Sequence, residues 1–379
     1  MKRPMPRVMA CLLGLTMLAS AVSAAPDDKV KAADQAHARR ELAGLFQLPA
    51  FSAPGPVFDA RGAMANKSIL SIPGPTNIPF YAHVLIGMKE ASEAVGYPFS
   101  VWINQGLESE HKQGIVSALA TKPALVDLLS GPDPTRLKPE INAVKKAGIP
   151  VVSSHGYGVG IRAPHVSYTL TLDYQRAGRL LADWVITKDL HAHVLVLISD
   201  DVAATAAMRT GIVNEFGRYG GSNVQYTFVN VPLNGWEGGI PPAVAAAVAG
   251  DTQLTYIIGI YDGMAKFIVA ALEKNHADSR IKVIGFNGTP DAIDLVRAGK
   301  VEMVLGEGLE WAGYAIADAE MRILAGSGRV QSLKVPFRVF TQTNAAEAGV
   351  PATFDQGYGD DFKHQFARLW QLPEASPPR

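Results

Sequence analysis

Leu125-Val126-Asp127-Leu128-Leu129 is an apolar run of strand length, Leu137–Ala147 is an amphipathic segment of helix length, and Val151-Val152-Ser153 is a second apolar run. A strand, a helix and a strand at this spacing form a crossover unit, with two parallel strands side by side and the helix on one face. The pattern continues outward from this unit. Upstream, candidate strands Ser68–Ile72 and Phe99–Ile103 alternate with candidate helices Ala82–Val95 and Glu110–Ala120. Downstream, past an extended, proline-containing segment at Ile161–Leu172, the series restarts with helix Tyr174–Thr187, strand Val194–Ile198, helix Ala203–Phe216 and strand Gln225–Asn230. Helix Gly239–Ala249, strand Tyr256–Ile260, helix Gly263–Asn275 and strand Lys282–Phe286 complete it. Strand Val301–Leu305, helix Trp311–Ala325 and strand Phe337–Thr341 read as returns to each lobe.

The expected fold class is therefore α/β, with two doubly wound parallel-sheet lobes. Residues 66–166 plus 308–337 are assigned to the first lobe, and 167–307 plus 338–372 to the second. A C-terminal tail with a short helix at Asp360–Leu369, carrying Phe362, Phe366 and Trp370, is expected to pack on the second lobe. Crossings at Ile161–Leu172, Glu307-Gly308 and Phe337–Thr343 would join the lobes. Two such lobes leave a cleft between the carboxyl ends of their strands, where open α/β sheets bind ligands.

The chain has 379 residues with 35 Lys+Arg, 35 Asp+Glu and one cysteine. Its neutrality gives no reason to expect a nucleic-acid partner. It is also an average over unlike parts. Basic Lys2, Arg3 and Arg7 precede an apolar stretch from Val8 to Val22, and small residues follow at Ser23-Ala24. That is the pattern of a secretory signal peptide, too short for a spanning helix. Its removal takes away three basic residues and no acid, so 35 basic residues become 32 against 35 acidic ones, a net charge of −3. It also removes Cys11, the only cysteine, which excludes thiol catalysis, disulfides and cysteine metal sites from the expected mature protein. Residues 25–65 form an N-terminal extension, helical from Asp27 to Phe46 and then rich in proline and glycine. It reads as an arm packed on the outside or as a spacer, with no visible chemistry.

Enzyme signatures are scarce. Gly156-Tyr157-Gly158-Val159-Gly160 lacks the third-glycine spacing and the following helix of a phosphate loop. No nucleophile elbow, Walker lysine loop or His-Glu-x-x-His helix occurs. His191-x-His193 lies before a strand, at the end of the sheet away from the cleft, and reads as a solvated loop. Asp200-Asp201 reads as a polar loop capping the next helix at Ala203. No catalytic residue, metal or cofactor is expected. What remains is a set of aromatic and hydrogen-bonding side chains just after strands: Phe80 and Tyr81, His155 and Tyr157, Trp236, Tyr261 with Asp262, Asn287, and Glu307. Flat faces edged by a few polar groups suit a ring-containing polar solute.

These residues resemble the periplasmic sugar-binding proteins of the ribose-binding type, type I periplasmic binding proteins that share their fold with LacI-type repressor cores. The resemblance runs from about Ser68 to Thr343. Asn77-Ile78-Pro79-Phe80-Tyr81 matches the family's first binding loop, and Lys146-Ala147-Gly148-Ile149-Pro150-Val151-Val152 its strand entry. Asp173-Tyr174-Gln175-Arg176-Ala177-Gly178 matches its helix start, and Val283-Ile284-Gly285-Phe286-Asn287-Gly288-Thr289-Pro290-Asp291 its late turn. The resemblance implies a three-crossing hinge, a monomer, lobe closure on one solute and delivery to the permease subunits of an ABC importer in the periplasm. It also implies roles for Phe80, Tyr81 and Trp236 as stacking faces and for Arg209 as a hydrogen-bond donor.

Other positions depart from the ribose pattern: Ile78, His155-Gly156, Tyr261, Asn287 and Glu307 replace the family's residues. Several charged groups that form paired hydrogen bonds to a polyol are thereby lost, so ribose is not the expected ligand. Three ligand types fit: another sugar or a cyclitol, a small aromatic solute, or an organic cation held by Tyr81, Trp236, Tyr261 and Glu307. The family favours the first. A periplasmic sensor receptor would use the same clamshell and remains the alternative role.

Overall fold

The computed structural model describes residues 26–220, 223–327, 332–354 and 356–373. The signal-peptide reading of residues 1–24 lies outside them. The elements in chain order are α1 (Pro26–Ala43), α2 (Ala60–Met64), β1 (Ile69–Pro73), α3 (Pro79–Val95), β2 (Phe99–Val101), α4 (Glu108–Thr121), β3 (Leu125–Leu129) and α5 (Lys138–Lys146). Then come β4 (Val151–Gly158), β5 (Tyr168–Leu172), α6 (Tyr174–Lys188), β6 (His193–Ile198), α7 (Ala204–Glu215), β7 (Gln225–Asn230), α8 (Trp236–Gly250) and β8 (Leu254–Gly259). The chain continues through α9 (Ala265–Lys274), β9 (Lys282–Asn287), α10 (Pro290–Arg297), β10 (Met303–Glu307), α11 (Leu309–Leu324), β11 (Phe337–Phe340) and α12 (Asp361–Leu369).

The strands form two sheets, ordered β2-β1-β3-β4-β5 and β11-β10-β9-β8-β6-β7. All pairs are parallel except β10 with β11. Strands β1 and β3 are buried at every position, as expected of parallel strands covered on both faces. The helices fit closely because glycines meet across them. In the first lobe a Cβ at Gly87 would stand 2.2 Å from the Glu310 carbonyl oxygen, and one at Gly313 2.2 Å from that of Val84, so α3 and α11 touch backbone to backbone. In the second, Gly178 of α6 and Gly211 of α7 repeat the device against the carbonyls of Met208 and Gln175.

Three sequence expectations change. Tyr168–Leu172 is not a linker: it pairs with β4 as the edge strand of the first sheet. The lobe boundary therefore falls at Asp173, whose carboxylate caps α6 by accepting from the Arg176 amide, rather than at residue 167. The last crossing lies before Phe337, not over Phe337–Thr343, because the Leu333 amide still bonds Thr171 of β5 while β11 already pairs with β10. The tail helix α12 packs on α11 of the first lobe, not on the second. Phe362 stacks on Trp311, and Phe366 and Trp370 pack against Tyr314. The spacing of Phe362, Phe366 and Leu369 puts the buried residues on one stripe of α12, which only an apolar helix face can cover.

The N-terminal arm follows both lobes. Helix α1 buries Ala38 and Leu42, and Phe46 contacts Trp184 of α6. The Leu45 carbonyl then accepts from the Val339 amide of β11. Farther on, Phe51 packs on Trp311 and Phe366 in the first lobe. No helix among the described residues is long and apolar enough to cross a membrane.

Candidate functional site

A cavity of about 540 Å³ opens between the carboxyl ends of the two sheets. The first lobe supplies Phe80 and Tyr81 from the start of α3, a helix that begins at Pro79 because proline tolerates the first helical turn. The second supplies Trp236 from the start of α8, Tyr261 after β8 and Asn287 at the end of β9. Five of the nine predicted residues thus meet around one space. Phe80 and Tyr81 pack edge to face at 5.1 Å, and Trp236 lies near parallel to Tyr261 at 6.4 Å.

Hydrogen bonds to the protein fix these rings. The Tyr81 hydroxyl donates to the Ser130 carbonyl at 2.7 Å, Tyr261 Oη lies 2.9 Å from Thr205 Oγ1, and Trp236 Nε1 donates to Ser199 Oγ at 2.9 Å. Burial raises both phenols well above the ordinary tyrosine range, so they stay neutral. With their polar ends engaged, these side chains offer the cavity their ring faces, and their rigidity lowers the entropic cost of stacking.

The other four predicted residues stand elsewhere. His155 and Glu307 are fully buried behind the cavity, not exposed in the cleft. Strand β4 runs on to Gly158, so His155 is a strand residue at a register shift, with φ of 53°. Its Nε2 lies 3.5 Å from Glu307 Oε2 across the boundary of the two sheets, and its Nδ1 lies 2.7 Å from the Tyr174 hydroxyl. Arg209 points away from the cleft and lies over the Phe228 ring at 4.6 Å on the outside of α7. Tyr157 pairs with β5 and is not among the cavity walls.

Loop polar groups shape the cavity rim. Asp262, buried, accepts from the Gly288 amide at 2.7 Å, the Thr289 amide at 2.8 Å and the Thr289 hydroxyl at 2.9 Å. It thereby holds the turn in which Asn287 takes φ of 134° and Gly288 φ of 81°. Asn287 in that conformation is strained, and such strain persists only where surrounding contacts impose it. Burial outweighs these three donors and pushes the Asp262 carboxyl up to about 7. Asp201 accepts from the Leu233 amide and so fixes the loop ahead of Trp236, instead of capping α7.

Residues 69–328 match the family model described as a periplasmic binding protein domain. The chain belongs to this family. No curated protein sequence matches it significantly. Among solved structures, the Caulobacter myo-inositol binding protein bound to myo-inositol is 18% identical, with a TM-score of 0.65 over 75% of this chain and 96% of that one. The arabinose binding protein AraP from Geobacillus stearothermophilus is 18% identical, with a TM-score of 0.61 over 74% and 98%. An ABC transporter solute binding protein from Agrobacterium vitis bound with alpha-D-tagatopyranose is 17% identical, with a TM-score of 0.65 over 75% and 98%. At these identities the likeness establishes the type I fold of two α/β lobes.

Several walls of this periplasmic binding protein's cavity escaped the sequence reading. Tyr174, Lys266 and Phe354 all line it. Phe354 comes from the tail and is held by stacking on His83 of α3 at 3.3 Å. No local signal marks it, since a tail residue reaches the cleft only through the packing of the elements around it. Tyr174 directly follows the Asp173 cap, and its place at the cleft depends on the Asp173 boundary, which the sequence reading had put at residue 167. His193, from the histidine pair, bonds Asp251 at 2.8 Å and belongs to no group of three ligating side chains among the described residues.

Proposed function

We propose that this periplasmic binding protein is the solute-capturing component of an ABC importer and that it takes a sugar or cyclitol other than ribose. The observation that carries this reading is the cavity itself, in which Phe80 and Tyr81 from one lobe face Trp236 and Tyr261 from the other. Its volume lies within the range of small-molecule sites. Apolar ring faces of a pyranose or cyclitol would lie against these aromatics, while Asn287, Lys266 and Asp291 at the walls supply hydrogen bonds to hydroxyls. The printed ligands of the structural neighbours, myo-inositol and alpha-D-tagatopyranose, are of this class. The organic-cation reading is weakened because Glu307, its intended counter-charge, is sealed behind the cavity against His155.

In the mechanism, a solute docks on one lobe and contacts to both lobes then favour the closed form. The connections at Asp173, at Gly308 and just before Phe337 serve as the hinge. The N-terminal pattern fits export to the periplasm. A thermal-shift screen against sugars, cyclitols, aromatic acids and quaternary amines, followed by calorimetry and small-angle scattering, tests the proposal. The expected result is a shift of several degrees from one sugar or cyclitol, with a smaller radius of gyration on binding. A shift from quaternary amines alone, or tight binding without compaction, would overturn it.

A further inference from the structure

The N-terminal arm carries a feature that solute capture does not use. Three ligating side chains from three helices converge there: His37 of α1, Asp183 of α6 and Glu215 at the end of α7. One ligand atom from each lies within 4.8 Å of the other two, and His37 Nε2 is 3.0 Å from Glu215 Oε1. The carboxylates are 1% and 4% exposed, respectively. Neither oxygen of Asp183 has a hydrogen-bond partner among the described residues.

A buried carboxylate without a donor is costly, and a second carboxylate beside it adds repulsion. On α6, Asp183 sits within the buried run Leu180, Leu181, Ala182, Trp184 and Val185, where an apolar residue would be the ordinary choice. Arg179, one turn earlier, makes no hydrogen bond to it, and the group that faces it is the Glu215 carboxylate. The site thus calls for a proton or a cation. The imidazole is also held in place. Tyr219 stacks on His37 at 3.8 Å and 16°, and it is carried by a π-helical turn, Phe216–Gly220, that directly follows Glu215. Such widened turns recur where a helix has been adapted to a site.

We propose that His37, Asp183 and Glu215 bind a divalent transition-metal ion of the Zn2+ type, which clamps the N-terminal arm to the second lobe. One imidazole nitrogen and two carboxylate oxygens match the hard-to-borderline donors that Zn2+ accepts, with a fourth position left to water. Ligand atoms around a tetrahedral Zn2+ ion stand roughly 3.4 Å apart, so small side-chain movements close the group around it. The three residues are far apart in sequence, so the metal would tie α1 to α6 and α7 through bonds that the apolar contacts of Ala38 and Leu42 do not supply.

The test is calorimetric titration of the chelator-stripped, tag-free chain with ZnCl2, with metal content measured after gel filtration. One Zn2+ per chain is expected, with a higher thermal midpoint on loading and a visible absorption band when Co2+ is used instead. His37→Ala and Asp183→Asn should each lower affinity by at least ~100-fold. His37 is partly exposed on the arm, so His37→Ala should still fold, with a metal-free midpoint lowered by the lost bond to Glu215, and its Zn2+ uptake is the deciding readout if Asp183→Asn misfolds. No Zn2+ uptake, or uptake unchanged in His37→Ala, would overturn the proposal and leave a proton-sharing carboxyl pair. The outcome is independent of which solute the cleft takes.

Discussion

Asp262→Asn should make this protein more stable in mild alkali. The carboxylate of Asp262 is buried, and its three donors come from the Gly288 and Thr289 amides and the Thr289 hydroxyl. An asparagine can keep all three contacts, with its carbonyl oxygen accepting both amides and its NH2 donating to the hydroxyl oxygen, which turns its own proton away. What changes is the charge. The Asp262 carboxyl is raised from 3.8 to about 7, so the native state holds its proton after the unfolded state has released it. Between those values the native state binds more protons, and stability falls as pH rises. The interval of 3.2 units at 1.36 kcal/mol per unit amounts to a destabilisation of about 4 kcal/mol, complete above pH 7 and absent below pH 4. Urea unfolding of wild type and Asp262→Asn from pH 4.5 to pH 8.5 checks this. The variant should gain progressively on wild type, reaching up to about 4 kcal/mol at the alkaline end. Parallel stability curves, or a variant weaker than wild type at pH 8, would refute the claim that burial outweighs the three donors.

Three further outcomes are expected. Trp236→Ala should weaken solute binding about tenfold by removing one stacking face, whereas Arg209→Ala, on the outside of α7, should leave affinity unchanged; calorimetry with the solute found by screening separates the two. Gly178→Ala should cost about 3 kcal/mol or more in urea unfolding, because its Cβ would stand 2.0 Å from the Met208 carbonyl oxygen and the helices must part. Phe366→Ala should cost about 3–5 kcal/mol, since the ring is 1% exposed between Phe51, Tyr314 and Trp370, and a midpoint unchanged by this substitution would deny the tail its place in the first-lobe core.

The strands were the most legible part of this fold. Runs such as Leu125–Leu129 and Gln225–Asn230 are bounded by turn residues, and their limits match the observed strands. Helix α10 was missed because its eight residues are too few to display a helical period, although Pro290 marks its first turn. The first-lobe aromatics were legible because they directly follow a strand that ends at the cleft. His155 and Glu307 follow the same positional rule yet fail it, because β4 and β10 run far enough to carry both side chains into the boundary between the sheets. Arg209 failed because a helix turns about 100° per residue, and its place on α7 puts the side chain on the outer face, over Phe228. Phe354 and the first-lobe docking of α12 depend on contacts between segments distant in sequence, for which local patterns hold no information.

Because α1 lies on the second lobe and α12 on the first, the first and last helices among the described residues ride on different bodies. That arrangement turns the molecule into a ready optical ruler. Val30 is 59% exposed on α1, Arg368 is exposed on α12, and the described residues contain no cysteine. Dyes attached through Val30→Cys and Arg368→Cys would therefore report the separation of the lobes as a change in energy transfer, with neither label among the cavity walls.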